Sequence, residues 1–255
     1  MLKKNILLLL LFVFALTITS CDSDNNKANQ VTDDTAKVTE DRDYDIKQGS
    51  YIDKQIKITY PQITGLADAN KQEKINELIK KEAIEVLGYY KDVEGEVSLD
   101  IKYDIKLKGA NLLSIQYAGL GNIEGAAYPN NVFYTTNIDM NNDKKVKLTD
   151  CISINEAFEK KVKEGKYVPW NDELNSVIEI IKENINSYDL INEFNNADSI
   201  SKENIYNLFS YFTKDSLGIS IGIPHVLGDH AEFEIKYEDI KDEKAENEIW
   251  KEYMP

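Results

Sequence analysis

From Val97 to Leu107 an apolar side chain falls on every second residue. Val97, Leu99, Ile101, Tyr103, Ile105 and Leu107 are separated by Ser98, Asp100, Lys102, Asp104 and Lys106. Side chains alternate across a strand, so this pattern predicts a strand with one dry and one wet face. Gly109-Ala110-Asn111 then turns the chain. Leu113, Ile115 and Tyr117 resume the alternation, with Ser114 and Gln116 on the opposite face. Val132, Tyr134, Thr136 and Ile138 alternate with Phe133, Thr135 and Asn137. The three strands read as an antiparallel meander. Before them, Ile56, Ile58 and Tyr60 predict a strand that stops at Pro61. Asn70 with Glu73 reads as a capping box. It opens a helix to about Leu87, with Ile75, Leu78, Ile79, Ala83, Val86 and Leu87 on one face and Gly88 at its end.

The second half mixes both periods. Val146–Leu148 suggests a short return strand. Ser153 with Glu156 suggests a second capping box, and Ile154, Ala157, Phe158 and Val162 a helical face. Residues 165–171, with Pro169 and Trp170, interrupt it. Leu174, Val177, Ile178, Ile181 and Ile185 predict another helix, and Leu190, Ile191 and Phe194 one further turn. Tyr206–Thr213 reads as a strand. Leu217, Ile219, Ile221 and Ile223, then Ala231, Phe233, Ile235 and Tyr237, predict a final hairpin. The expected fold class is α+β: an antiparallel β-sheet packed against helices. Its order is strand, helix, three-stranded meander, two helices and a further hairpin.

Between the second and third strands of the meander, residues 118–131 read as a loop. Gly119, Gly121 and Gly125 give it backbone freedom that side chains deny. The rim carries Tyr117, Tyr128 and Tyr134, which either pack into the core or form an aromatic binding face.

The N-terminus sets the expected compartment. Lys3 and Lys4 precede an unbroken apolar run of eleven residues, Ile6–Leu16. That is short of the roughly 20 needed to span a bilayer, and it suits a secretory signal. Ile18-Thr19-Ser20-Cys21 follows, in the manner of a bacterial lipobox. Residues 1–20 are therefore expected to be a lipoprotein signal peptide, and Cys21 the lipidated residue, at the outer face of the cell membrane. Residues 21–49, rich in Asp, Asn, Lys and Thr, read as a flexible tether. Residues 50–143 and 144–242 are the two expected α+β subdomains, and 243–255 a charged tail docked by Trp250 and Tyr253.

Charge narrows the partners. With 30 Lys and Arg against 45 Asp and Glu the formal net charge is −15. Loss of Lys3 and Lys4 with the leader takes it to about −17. Such a surface is expected to repel nucleic acid and anionic wall polymers; it either favours a basic partner or simply keeps the protein soluble. Once Cys21 is acylated, Cys151 is the one cysteine left, so no internal disulfide forms. It is expected to be buried and inert.

Three stretches invite chemistry. Gly218-Ile-Ser-Ile-Gly222 matches the nucleophile-elbow spacing, but Ser220 falls inside an alternating strand, where an elbow needs a sharp strand-to-helix turn. His225, Asp229 and His230 bring two imidazoles and a carboxylate into one short loop, a donor set that suits a transition metal. The plainer expectation is local hydrogen bonding. Asp139, Asn141, Asp143 and Asp150 occupy positions 1, 3, 5 and 12 of a calcium-loop count. Lys144 replaces the glycine at position 6, so a hairpin turn explains them better. No catalytic set, metal site or cofactor is expected. The ligand-binding candidates are Tyr117, Gly121, Gly125, Tyr128, Tyr134, His225, Asp229 and His230.

Tyr60-Pro61 before a helix, Gly125-Ala-Ala-Tyr-Pro-Asn130, Thr136-Asn-Ile-Asp139, Lys147-Leu-Thr-Asp150, Phe212-Thr-Lys-Asp-Ser-Leu-Gly-Ile219 and Phe233-Glu-Ile-Lys-Tyr237 occur in that order. In this order the chain resembles the RsiV-like extracytoplasmic domain family, which also supplies the module preceding the catalytic domain in PdaC-type peptidoglycan deacetylases. The resemblance covers roughly residues 50–242. It implies an α+β fold and extracytoplasmic recognition of a basic protein such as lysozyme, or of a peptidoglycan fragment. The chain departs from the family in three ways. Almost nothing precedes the apolar run, so it is not expected to hold a sigma factor. No deacetylase domain is appended. Tyr128 stands where the family often has His, and Pro224-His225-Val-Leu-Gly-Asp-His230 replaces the usual pocket residues. The functional expectation is a lipid-anchored binding or sensor protein without catalytic activity. The alternative is a cell-wall hydrolase, or a deacetylase accessory, using a His/Asp site.

Overall fold

A computed structural model describes residues 44–253 apart from 202 and 205. The leader, Cys21 and most of the expected tether lie outside the described residues. The fold is α+β, and its strands form two sheets. The first half supplies β1 (Asp45–Asp53), β2 (Ile56–Thr64), α1 (Ala69–Ile84), β3 (Val97–Lys108), β4 (Leu112–Ile123), β5 (Asn130–Asp139) and β6 (Lys144–Val146). These six strands lie side by side in chain order. All their pairings are antiparallel except β2–β3, which is parallel over Ile56–Ile58 and needs α1 as its crossover. The predicted helix buries Ile75, Ile79 and Ala83 on the sheet. Its cap is Asp68, which accepts the N–H groups of Asn70 and Lys71; Asn70 itself lies inside the first turn.

The second half supplies α2 (Leu148–Cys151), α3 (Glu156–Lys163), β7 (Lys166–Val168), α4 (Ile178–Asn186), α5 (Ile191–Phe194), β8 (Phe209–Phe212), β9 (Ser216–Gly222), β10 (His230–Lys236) and α6 (Trp250–Tyr253). Its sheet runs β7-β10-β9-β8. Asn155, not Ser153, caps α3 by accepting the N–H of Phe158. Trp250 docks the end of the chain: it is buried, and its indole N–H donates to the Cys151 carbonyl at 2.9 Å. Cys151 is buried beneath it, and burial pushes its thiol pKa well above the usual range.

Further expectations change. The tether does not reach Gly49, because Tyr44 is buried and Asp45–Asp53 pair with β2 along their whole length. The alternation of Tyr44 and Ile46 is the signal for that strand. β2 does not stop at Pro61. Its pairing with β3 ends at Ile58, so the missing N–H of Pro61 falls beyond the stretch paired on both sides. Residues 118–131 are mostly strand, because β4 continues to Ile123 and β5 begins at Asn130. At Gly119 a Cβ would run into the backbone of Asp100 and Ile101, so glycine serves close strand packing there. Finally, the alternation of β3 breaks. The register slips between Ile105, opposite Ile115, and Leu107, opposite Ser114. One extra residue reverses the face, and Leu107 joins the core of the second half while Leu99 and Ile101 stay in that of the first.

The sheets meet across β4, β5 and β8. Tyr134 and Ile138 of β5 face α1, and Phe133, Thr135 and Asn137 face β8, so β5 is buried on both sides. The contact is polar. Ser210 of β8 receives Thr135 Oγ1 at 2.5 Å and Asn137 Nδ2 at 2.9 Å on its carbonyl. Ser114 donates to Asn137 Oδ1 at 2.7 Å and accepts the Phe212 N–H. Asp198 closes the seam, accepting from Ser210 N, Ser210 Oγ and Leu148 N at 2.6–2.8 Å.

Candidate functional site

A cleft of about 400 Å³ opens beside this seam. Four pieces of chain build it. Tyr89 and Tyr90 follow the short 3₁₀ turn Glu85–Gly88 after α1. Asn130–Tyr134 begin β5. Tyr206, Asn207 and Phe209 lead into β8. Gly222, Ile223, Pro224, Asp229 and His230 form the β9–β10 turn, and Tyr188 closes one end. The walls are aromatic. Tyr188 and Tyr206 stack with centroids 4.3 Å apart, and Tyr89 packs edge-on to Tyr90. Burial, with help from Tyr89 and Asp229, raises the Tyr90 phenol to about 12. Burial also raises Tyr134 and Tyr188. These phenols are therefore protonated donors at neutral pH.

The β9–β10 turn is held by its own chemistry. Gly228 and Asp229 both have positive φ, at +113° and +71°. Asp229 tolerates this because its carboxylate is fully engaged. It accepts Asn131 N at 2.8 Å and Asn131 Nδ2 at 3.0 Å, and lies 2.9 Å from His225 Nδ1. Tyr128 stacks over His225 at 5.6 Å. The second histidine is more deeply set. His230 lies between Phe133 at 5.0 Å and Trp170 at 5.3 Å, with Nδ1 2.7 Å from Glu232 Oε1. Ser220 also donates to that oxygen, at 2.9 Å.

Ser220 is fully buried in the middle of β9, with no strand-to-helix turn. Glu232 stands between it and His230, whereas a nucleophilic relay needs the imidazole next to the hydroxyl. Among the described residues, no three His, Cys, Asp or Glu side chains gather as metal ligands. The Asp139–Asp150 stretch closes as a turn: Asp139 accepts from Asn141 N, Asn142 N and Asn142 Nδ2, while Asp150 binds back to Lys147 N.

Of the sequence candidates, Tyr134, Asp229 and His230 line the cleft. Tyr128 and His225 stack beside it. Tyr117 does not reach it; it is buried behind Tyr134, stacked at 4.8 Å, so this ring belongs to the core. Gly121 sits in β4, outside the lining residues, where a Cβ would strike the Tyr90 hydroxyl, so it makes room for a cleft residue. Gly125 is at the hairpin tip with φ +84° and open space around it. Sequence reading missed Tyr89, Tyr90, Asn130, Asn131, Tyr188 and Tyr206, which line the cleft. The paired Tyr89-Tyr90 and Asn130-Asn131 were a signal of a kind, polar and aromatic residues clustered at element ends. Nothing local marks Tyr188 or Tyr206.

No protein-family model matches the chain, and no curated protein does. Solved structures similar to it include a DUF3298 family member from Bacteroides fragilis NCTC 9343. It is 16% identical, with 82% of this chain and 96% of that one covered at a TM-score of 0.49. A DUF3298 family protein from Pseudomonas aeruginosa PAO1 is 11% identical over 80% of this chain and 93% of that one, at a TM-score of 0.45.

Proposed function

We propose that this chain is a binding protein of the bacterial cell envelope, anchored through an acylated Cys21, that takes a cell-wall fragment into the aromatic cleft. One observation carries the reading. The concavity is of ligand size; Tyr89 lines it and is 62% exposed, while Tyr128, 68% exposed, and Trp170, 42% exposed, stack on His225 and His230 of the β9–β10 turn. Large apolar groups gathered around one opening mark a contact surface, whereas scattered ones mean little. The leader supports the location: globomycin is expected to block processing at Cys21, and unchanged processing would remove the anchor. Purified peptidoglycan tests the cleft. The full-length protein should sediment with it, and Tyr89→Ala combined with Asn130→Ala should leave the protein in the supernatant. Equal sedimentation of both proteins defeats the proposal.

The net charge of −15 favours a second reading, a basic protein such as lysozyme docked on the same rim. Capture of lysozyme should then weaken steeply as salt rises. Capture that is absent, or indifferent to salt, excludes it.

A further inference from the structure

The cleft has a composition that selects among wall components. Among the described residues that line it there is no lysine or arginine. It therefore offers no permanent cation to a carboxylate or phosphate, and its one lining histidine, His230, already lies 2.7 Å from the Glu232 carboxylate. Its one lining aspartate, Asp229, already accepts two N–H groups of Asn131 and lies within hydrogen-bond reach of His225, so no unengaged carboxylate faces a cationic ligand. What remains is flat aromatic surface and amides. Asn130, at the start of β5, and Asn207, before β8, are exposed among the lining residues. Each amide presents a carbonyl acceptor and an NH₂ donor together, the combination that a hydroxyl or an acetamido group needs. The stacked Tyr188–Tyr206 pair supplies a plane for an apolar ring face.

Resting on the reading of the cleft as the ligand site, we infer that it recognises an uncharged pyranose, the sugar backbone of the wall and not its peptide or anionic parts. The sugar's C–H face lies against tyrosine, and its hydroxyl or acetamido edges meet Asn130 and Asn207.

The protein carries its own reporter. Of its two tryptophans, Trp250 is buried in the core and Trp170 stacks on His230, which lines the cleft. The full-length protein in detergent is titrated with chitotetraose, a neutral N-acetylated tetramer, and with its deacetylated, cationic counterpart. The neutral sugar should shift Trp170 emission saturably, and Trp170→Phe should abolish the shift. Asn130→Ala and Tyr89→Ala, both at exposed positions, should weaken binding by about tenfold each with unchanged melting. Tighter binding of the cationic tetramer overturns the uncharged class. No response to either sugar, with cleft-dependent sedimentation on peptidoglycan retained, overturns the saccharide and leaves the cleft standing. Sedimentation that ignores the cleft variants overturns both.

Discussion

Two polar clusters in this molecule are built from nearly the same parts. In the seam between the sheets, Asp198 accepts three hydrogen bonds while Asn137 and Ser114 bridge to β8. At the cleft, Asp229 is held by Asn131 and His225. Both aspartates have positive φ, at +61° and +71°. They differ in water. Asp198 is 1% exposed, while the Asp229 side chain retains 15% and its partner His225 46%. A sealed polar cluster must satisfy itself completely, and once satisfied it fixes how two layers sit. An open one needs only to hold its shape, because water can satisfy whatever the cluster leaves over. The same chemistry thus does structural work in one place and, on the proposed reading of the cleft, recognition in the other.

The sharpest test is Asp198→Ala. It strands three donors in a dry interface, two of them backbone N–H groups. Stability should fall by about 3–5 kcal/mol, read as an earlier urea midpoint with unchanged slope. The loss should also depend on pH. Burial, the largest influence, raises the Asp198 pKa above 3.8 even though the bonds from Ser210 and Leu148 pull it down. The folded state therefore holds this proton more tightly than the unfolded one. Its contribution is fullest below 3.8 and declines as pH climbs through the folded value. The gap between wild type and variant should be wider at about pH 3.5 than at about pH 7. A gap that widens with pH would mean that the buried carboxylate is favoured as an anion.

Next comes Asn137→Leu, close in volume but unable to bond. It removes the donors to Ser210 and the acceptor for Ser114 at the centre of the seam. A cost of about 2–3 kcal/mol is expected. A variant as stable as wild type would show that the seam serves orientation more than stability, since an apolar contact can replace satisfied polar groups without loss.

Why the cleft was only partly legible follows from the same contrast. The period-2 runs of β3, β4 and β9 named strands because one side chain in two must leave water, and that signal is local. The seam is not local. Ser114, Thr135 and Asn137 read as the wet face of their strands, yet all are buried because a second sheet covers them. Leu107 kept perfect alternation in the sequence and still changed cores, since a bulge leaves no mark in the apolar pattern. The β9–β10 turn stood out through its two histidines. Gly222 lets the Tyr206 carbonyl approach β9, accepting the Gly222 N–H at 2.5 Å, and Tyr206 stacks there on Tyr188. That pairing depends on tertiary structure alone.

Asp229→Ala moves the test to the open cluster. It releases Asn131 and His225 and leaves alanine at a φ that suits it poorly. Water can reach the freed groups, so the expected cost is only about 1–2 kcal/mol, well below that of Asp198→Ala. Equal losses at the two aspartates would dissolve the contrast between a sealed and an open cluster. Peptidoglycan sedimentation should fall with this variant even where the fold survives, because Asn131 loses its anchor.

The smallest effect on stability, and the cleanest on function, belongs to Tyr128→Ala. The ring is 68% exposed and touches His225 by stacking alone. Removing it uncovers no core and strands no donor, so stability should stay within about 0.5 kcal/mol of wild type. If the rim is a contact surface, the ring's exposure is its purpose, and losing it removes area that a ligand would cover. Peptidoglycan binding should weaken by roughly three- to tenfold, the range a single aromatic contact carries, at an unchanged melting temperature. A lowered melting temperature with full binding would reverse the assignment. Tyr128 would then be a clamp that keeps His225 on Asp229, and the contact surface would have to be sought on the Tyr89 and Trp170 side of the cleft.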